Sequence, residues 1–114
     1  MSLPETDIAR VHRWVARRNE AIGKHISEMR VEMDVDGRAI TIFDCRAPWR
    51  EDSGPEWMRL EVARLRYTTK TGTWELYWRD RHSRFHRYED LEPTPTVELL
   101  LAEIDADPTG IFWG

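Results

Sequence analysis

Glu28-Met-Arg-Val-Glu-Met-Asp-Val-Asp-Gly-Arg-Ala-Ile-Thr-Ile42 is the stretch from which the architecture can be read. Polar and apolar residues alternate strictly from Glu28 to Val35, the period-two pattern of a half-buried strand. Asp36-Gly37 then breaks the pattern, and Gly accepts a positive φ at no steric cost, so these two residues signal a hairpin. With Asp36 and Gly37 as the turn, Val35 faces Arg38, Met33 faces Ile40 and Val31 faces Ile42. Pattern and register then agree, because the apolar residues of both strands fall on one side.

Working outward, the next apolar alternation is Met58, Leu60, Val62, which shifts by one residue to Ala63, Leu65, Tyr67. A phase slip inside a strand is what a β-bulge produces. Thr69-Lys-Thr-Gly72 turns the chain into a fourth strand with Trp74, Leu76 and Trp78 on one side. Asp80 to Ser83 turn it again into a short fifth strand ending at Tyr88. Strands are therefore expected over 28–35, 38–46, 57–67, 73–79 and 84–88. Residues 47–56, with two prolines, a glycine and an acidic cluster, read as a surface loop.

Helical spacing flanks this block. Over 5–22, Ile8, Val11, Val15 and Ile22 share a face with Trp14 beside them, while arginines fill the rest. Thr6 or Ser2 can cap, Pro4 suits a first turn, Glu5 and Asp7 match the N-terminal dipole, and Gly23 is a natural stop. After the linker Glu92-Pro-Thr-Pro95, Val97, Leu100, Leu101 and Ile104 form the stripe of a second helix over 95–106, which Asp107-Pro108 ends. The tail 109–114 is apolar and is expected to pack back and complete the core. The sum is an α+β fold: an antiparallel meander of about five strands flanked by an N-terminal and a C-terminal helix.

Composition bounds the function. A chain of 114 residues fits one domain with a core large enough to need no staples. The single cysteine, Cys45, excludes an internal disulfide framework. The first residues lack a signal-peptide pattern and no apolar run would span a bilayer, so a cytoplasmic protein is expected. The net charge is −4, which disfavours generic polyanion binding. Charge is nevertheless segregated: residues 59–90 hold eight basic against five acidic residues, whereas residues 91–114 hold five acids and no base.

That basic segment contains the densest recognition chemistry, Trp74-Glu-Leu-Tyr-Trp-Arg-Asp-Arg-His-Ser-Arg-Phe-His-Arg-Tyr88. Aromatic faces stack on bases and arginines pair with phosphates or carboxylates. Alternation divides the run. Trp74, Leu76, Trp78 and Phe85 are expected inward, leaving Tyr77, Arg79, Arg84, His86 and Tyr88 outward, extended by Arg64 and Arg66 on the adjoining strand. The bland reading of that face is ordinary solvated surface, since a small antiparallel sheet has one wet side.

Other constellations are weaker. His82 and His86 lie across a turn and have no cysteine pair near them, so no metal or cofactor is expected. Cys45 reads as a half-buried strand cysteine: Asp44 beside it opposes thiolate formation and Arg46 favours it. Glu103, Asp105 and Asp107 sit at a helix C-terminus and read as solvated charge. No phosphate loop, nucleophile elbow or His-Glu-x-x-His occurs.

Trp74-Glu-Leu-Tyr-Trp-Arg-Asp80, Arg46-Ala-Pro-Trp49, Ala63-Arg-Leu-Arg-Tyr67 and Asp107-Pro-Thr-Gly-Ile-Phe-Trp-Gly114 together resemble a bacterial family known as domain of unknown function 3024. The likeness runs from the first helix to the last residue and implies a small stand-alone domain without an assigned chemistry. The resulting expectation is a binding domain contacting single-stranded nucleic acid or another anionic ligand through the arginine–aromatic sheet face. A structural or protein-interaction module, including a homo-oligomer, is one alternative. A small metal-independent nuclease using His86, His82 and an arginine is the other.

Overall fold

In a computed structural model describing residues 3–48, 54 and 56–113, five antiparallel strands form one sheet in the order of the chain. The elements are α1 (Glu5–Ile22), a 3-10 turn (Gly23–Ser27), β1 (Met29–Asp36), β2 (Ala39–Arg46), β3 (Met58–Thr68), β4 (Thr73–Arg79), β5 (Phe85–Arg87) and α2 (Glu98–Ala106). Most of the expected 47–56 loop, Trp49 of the Arg-x-Pro-Trp motif, the Ser2 cap and Gly114 lie outside the described residues. No described helix is long and apolar enough to cross a membrane.

Both helices and the C-terminal segment cover one face of the sheet. That face presents Val31, Ile40, Ile42, Ala63, Leu65, Trp74 and Leu76, all buried against Val11, Trp14, Leu100, Ile104 and Phe112. Fully burying each large aliphatic side chain contributes about 2 kcal/mol of transfer free energy, so this layer is the main source of stability. The bulge falls where the phase slip placed it. Ile42 pairs with Ala63 and Phe43 with Glu61, so Val62 is the extra residue, and Val62 and Ala63 are both buried.

The first hairpin keeps its faces but not its predicted turn. Asp36 pairs with Ala39, Val35 with Ile40 and Met33 with Ile42. The loop is therefore Gly37-Arg38, with Gly37 at φ 60° and Arg38 at negative φ, the pattern of a type II′ turn. A turn at Asp36-Gly37 would require positive φ at both residues, including an aspartate. Moving it by one places the only positive φ on the glycine. Because the pairing shifts by two residues, every side chain keeps its face.

The last hairpin does change faces. The observed loop is one residue longer than the Asp80–Ser83 turn, so Arg79 pairs with Phe85 and Trp78 with His86. Ser83 takes the left-handed conformation at φ 64°, and the Asp80 and Arg84 backbones pair across it. Asp80 enforces this geometry: its carboxylate accepts the N–H groups of His82 (2.8 Å) and Arg84 (3.0 Å). One extra loop residue inverts the alternation. Phe85 thus points to the uncovered face, while His86 lies on the Trp78 side, contrary to the expected arrangement.

α2 begins later than expected because its approach is extended. Thr94 exchanges backbone hydrogen bonds with Trp74 (2.6 and 2.9 Å), and Pro95 keeps Thr94 out of helical geometry. The first turn of α1 supplies what fastens this junction. Asp7, 4% exposed, accepts the Trp74 indole N–H (3.0 Å), the Val97 backbone N–H (3.3 Å) and the Arg10 guanidinium (2.9 Å). Arg10 continues to Glu98 in α2 at 3.2 Å. Asp7 was expected only to complement the helix dipole; it ties α1, β4 and α2 together.

Asp7→Ala should cost about 3 kcal/mol in urea unfolding, because it leaves two buried N–H donors without their acceptor and removes one of the two carboxylate partners of Arg10. Thr6→Ala, one residue away on the exposed side, should change stability by less than about 0.5 kcal/mol.

Candidate functional site

The uncovered face is built from the alternate residues of the same strands. Register places Ala39, Arg66 and Glu75 in one row, and Thr41, Arg64, Tyr77 and Arg87 in the next. Phe43 and Glu61, then Arg79 and Phe85, lie beyond them, with Arg30, Glu32, Asp34 and Asp36 along β1. Several arginines of this face lie over rings or pair with carboxylates. Arg30 sits 4.0 Å above the Trp57 ring, Arg59 3.9 Å above Phe43, and Arg64 4.0 Å above Phe85. Arg30 also meets Glu32 at 2.6 Å, Arg59 meets Glu32 and Asp34 at 3.2 and 3.1 Å, and Arg87 meets Glu75 at 2.7 Å.

The expected contact residues divide accordingly. Arg64, Arg66, Tyr77 and Arg79 do share this face. Arg79, however, spends its guanidinium on the Glu61 carbonyl (3.0 Å) and Ser83 Oγ (2.9 Å), which braces the bulge and the last turn. Arg84 is exposed in the turn. His86 packs tilted against Trp78, with ring centroids 4.8 Å apart, and contacts the Asp80 carboxylate at 2.7 Å. Tyr88 was expected to be exposed; it is 4% exposed and donates its hydroxyl to Glu103 at 2.8 Å. The odd-length last loop accounts for the misplacement of His86 and Tyr88.

What the face leaves unneutralised is a notch of about 480 Å³ beside the first hairpin. Arg38, Arg64 and Arg66 line it with Asp36 and Thr41. Arg64 is held there by Thr41 Oγ1 (3.1 Å) and by Glu61 at 3.8 Å. Among the described residues neither Arg38 nor Arg66 pairs with a carboxylate, and both are exposed. Arg38 could have been found from the sequence only by placing the turn at Gly37-Arg38.

Cys45 lies on the same face and is fully buried. Burial, then the nearby Glu32 carboxylate, push its thiol up, while Arg59 acts the other way. The relevant charges come from neighbouring strands. Asp44 and Arg46, its neighbours in sequence, project to the opposite side.

The histidines do not share a site. His86 lines a cleft of about 430 Å³ with Trp78, Tyr88 and Ile111, and His82 does not. The His86 contact, with the two backbone N–H groups, holds the Asp80 carboxyl well below the usual carboxylate range. No cluster of three or more metal-ligating side chains occurs among the described residues.

The three C-terminal acids are structural. Glu103 accepts from Tyr88, and Asp105 accepts from Trp14 Nε1 (3.0 Å) and Arg18 (2.6 Å). Asp107, left-handed at φ 42°, accepts the N–H groups of Phe112 and Trp113, both at 3.0 Å. These bonds fold the tail back, burying Phe112 and partly burying Ile111 and Trp113.

A five-stranded antiparallel meander with two helices on one face defines the class: a small α+β domain with an arginine-rich open face. The chain belongs to the family described as Domain of unknown function (DUF3024), which matches residues 2–114. No curated protein and no solved structure matches it.

Two measurements test this geometry. The Cys45 thiol should resist an aromatic disulfide reagent in the native protein and react fully after unfolding in guanidinium. Burial and the Glu103 carboxylate push the Tyr88 hydroxyl up to about 12. An unfolded tyrosine releases its proton near pH ~10. The folded state therefore binds the extra proton between these values, and stability present below pH ~10 should fall as pH rises toward 12. Tyr88→Phe should lack that part of the alkaline loss when melting temperatures are followed across the range.

Proposed function

We propose that this protein is a binding domain whose open sheet face takes an anionic group, with Arg38, Arg64 and Arg66 as contacts and Tyr77 as the adjoining ring. The observation that carries the reading is the contrast in charge pairing. Arg30, Arg59 and Arg87 are spent on Glu32, Asp34 and Glu75, whereas Arg38 and Arg66 keep their donors for something else. Register puts Tyr77 directly across from Arg64, within one strand spacing of the notch. A phosphate of a single-stranded nucleic acid meets these requirements, with a base stacked on Tyr77.

The pairing also limits the affinity. Six strand arginines on the face (30, 59, 64, 66, 79 and 87), joined by Arg38 of the turn, stand among five carboxylates (32, 34, 36, 61 and 75), which leaves no broad basic track. A short contact of few phosphates is the consistent form.

A second reading, a protein-interaction module, is favoured by Met58 and Leu60. They are 61% and 41% exposed on the helix side of β3, beyond the covering helices. The nuclease reading has less support, because its two histidines do not share a cleft.

Titration with short single-stranded DNA and RNA at several salt concentrations tests the first reading. Binding should show a log–log salt slope of about −2, as expected for some three phosphates. Arg38→Ala with Arg66→Ala should weaken it at least about tenfold, while Arg84→Ala should leave it unchanged. Absence of binding at low salt, or an affinity indifferent to the Arg38/Arg66 pair, removes nucleic acid from consideration.

A further inference from the structure

A second, more apolar concavity is on the other side of the molecule. It is a cleft of about 510 Å³ between the C-terminal half of α1, the far ends of β1 and β2, and the tail. This volume lies within the range of small-molecule sites, roughly 300–1,000 Å³. Its wall is mostly apolar: Ile22, Met29, Val31, Trp14 and Trp113. The wall is also braced. Trp14 and Trp113 stack 6.5 Å apart, Trp14 Nε1 is fixed by Asp105, and Trp113 Nε1 donates to the Ile104 carbonyl at 3.0 Å. Arg18 lies 4.0 Å over the Trp113 ring while bonded to Asp105, so it closes one end as a fixed part of the wall.

Polar groups at the mouth are unevenly satisfied. Arg46 meets Asp44 through Nε and Nη2, both at 3.2 Å, but among the described residues its Nη1 donates only to the Met29 sulfur at 3.8 Å. A thioether is a weak acceptor, which an anionic oxygen would readily replace. Arg17 also lines the cleft, is exposed, and has no carboxylate partner among the described residues. Three arginines and two aspartates line the site, so one positive charge remains. That balance suits a monoanion; a dianion would meet repulsion from Asp44 and Asp105.

We propose that this cleft is a binding site for a small apolar monocarboxylate. The apolar body of the ligand lies against Met29, Ile22 and Trp113, and its carboxylate takes the remaining donors of Arg46 and Arg17. The site shares no residue with the notch on the open face, so each can fail without the other.

Naphthoate is a suitable probe, with hydroxymethylnaphthalene as its neutral counterpart and inorganic phosphate as an anion without a ring. Binding is read from the indole N–H resonances in proton NMR, with Trp113→Phe identifying the Trp113 signal. Naphthoate should shift the Trp113 signal saturably, at least about tenfold more tightly than either control. Arg46→Gln and Arg17→Gln should each weaken it several-fold without altering the melting temperature. Met29→Trp, which fills the cleft, should abolish it in a protein that still melts cooperatively. No saturable shift up to about 5 mM, equal binding of the neutral compound, or indifference to both arginine variants would overturn the assignment.

Discussion

The Asp7 carboxylate is the constraint on which the arrangement of the layers depends. A carboxylate loses several kcal/mol of hydration on burial unless donors replace the water. Here an indole N–H, a backbone N–H and a guanidinium replace it, each from a different element or turn. Apolar packing alone would let the helices slide over the sheet, because it is nondirectional. The Asp7 bonds are directional, and they fix α1 against Trp74 of β4 and against the start of α2. Val97 at that start has no side-chain cap of its own, and the bond from α1 supplies one.

The open face follows a different logic. Its side chains are polar yet only partly solvated, because arginine guanidinium groups lie across Phe43, Trp57 and Phe85 while reaching carboxylates on neighbouring strands. Each exposed ion pair contributes little by itself. Held over the rings, however, the arginines exclude water from the strand surface, which is how Cys45 and Thr41 become buried on the side without helices. A residue count over 59–90 shows a basic segment; the folded face shows near neutrality, because the compensating acids arrive from β1.

Much of the fold was legible because it rests on local periodicity. The hairpin faces, the bulge at Val62, the helix ending at Ile22 and the order of elements all follow from alternation and turn residues. The misplacements share one physical source, the number of residues in a turn. A shift of two at Gly37-Arg38 changed partners and preserved faces, whereas one added residue at Asp80–Arg84 exchanged Phe85 for His86. The conformation of Ser83 decides that parity, and a serine does not announce positive φ as glycine does. Long-range polar bonds were not legible at all. Asp7, Asp105 and Asp107 look like surface acids in the sequence because their partners lie many residues away or in an unpredicted tail geometry.

The C-terminal acids show how the same bonds that complete the core also shape the cleft. A run of carboxylates at a helix C-terminus is unfavourable in isolation, since the dipole there is already negative. Asp105 avoids the penalty by engaging Arg18 and Trp14 of α1, and Asp107 by turning the chain and accepting two backbone N–H groups. Trp113 is thereby carried back across the end of α2 until Arg18 covers its ring. The tail thus serves as one wall of the apolar cleft. The acidic character of residues 91–114 is therefore mainly internal wiring, and the net charge of that segment is a poor guide to the partners of the protein. Among the described residues, Arg38 and Arg66 on the open face and Arg17 beside the tail have no carboxylate partner, and the two proposed sites are built on them.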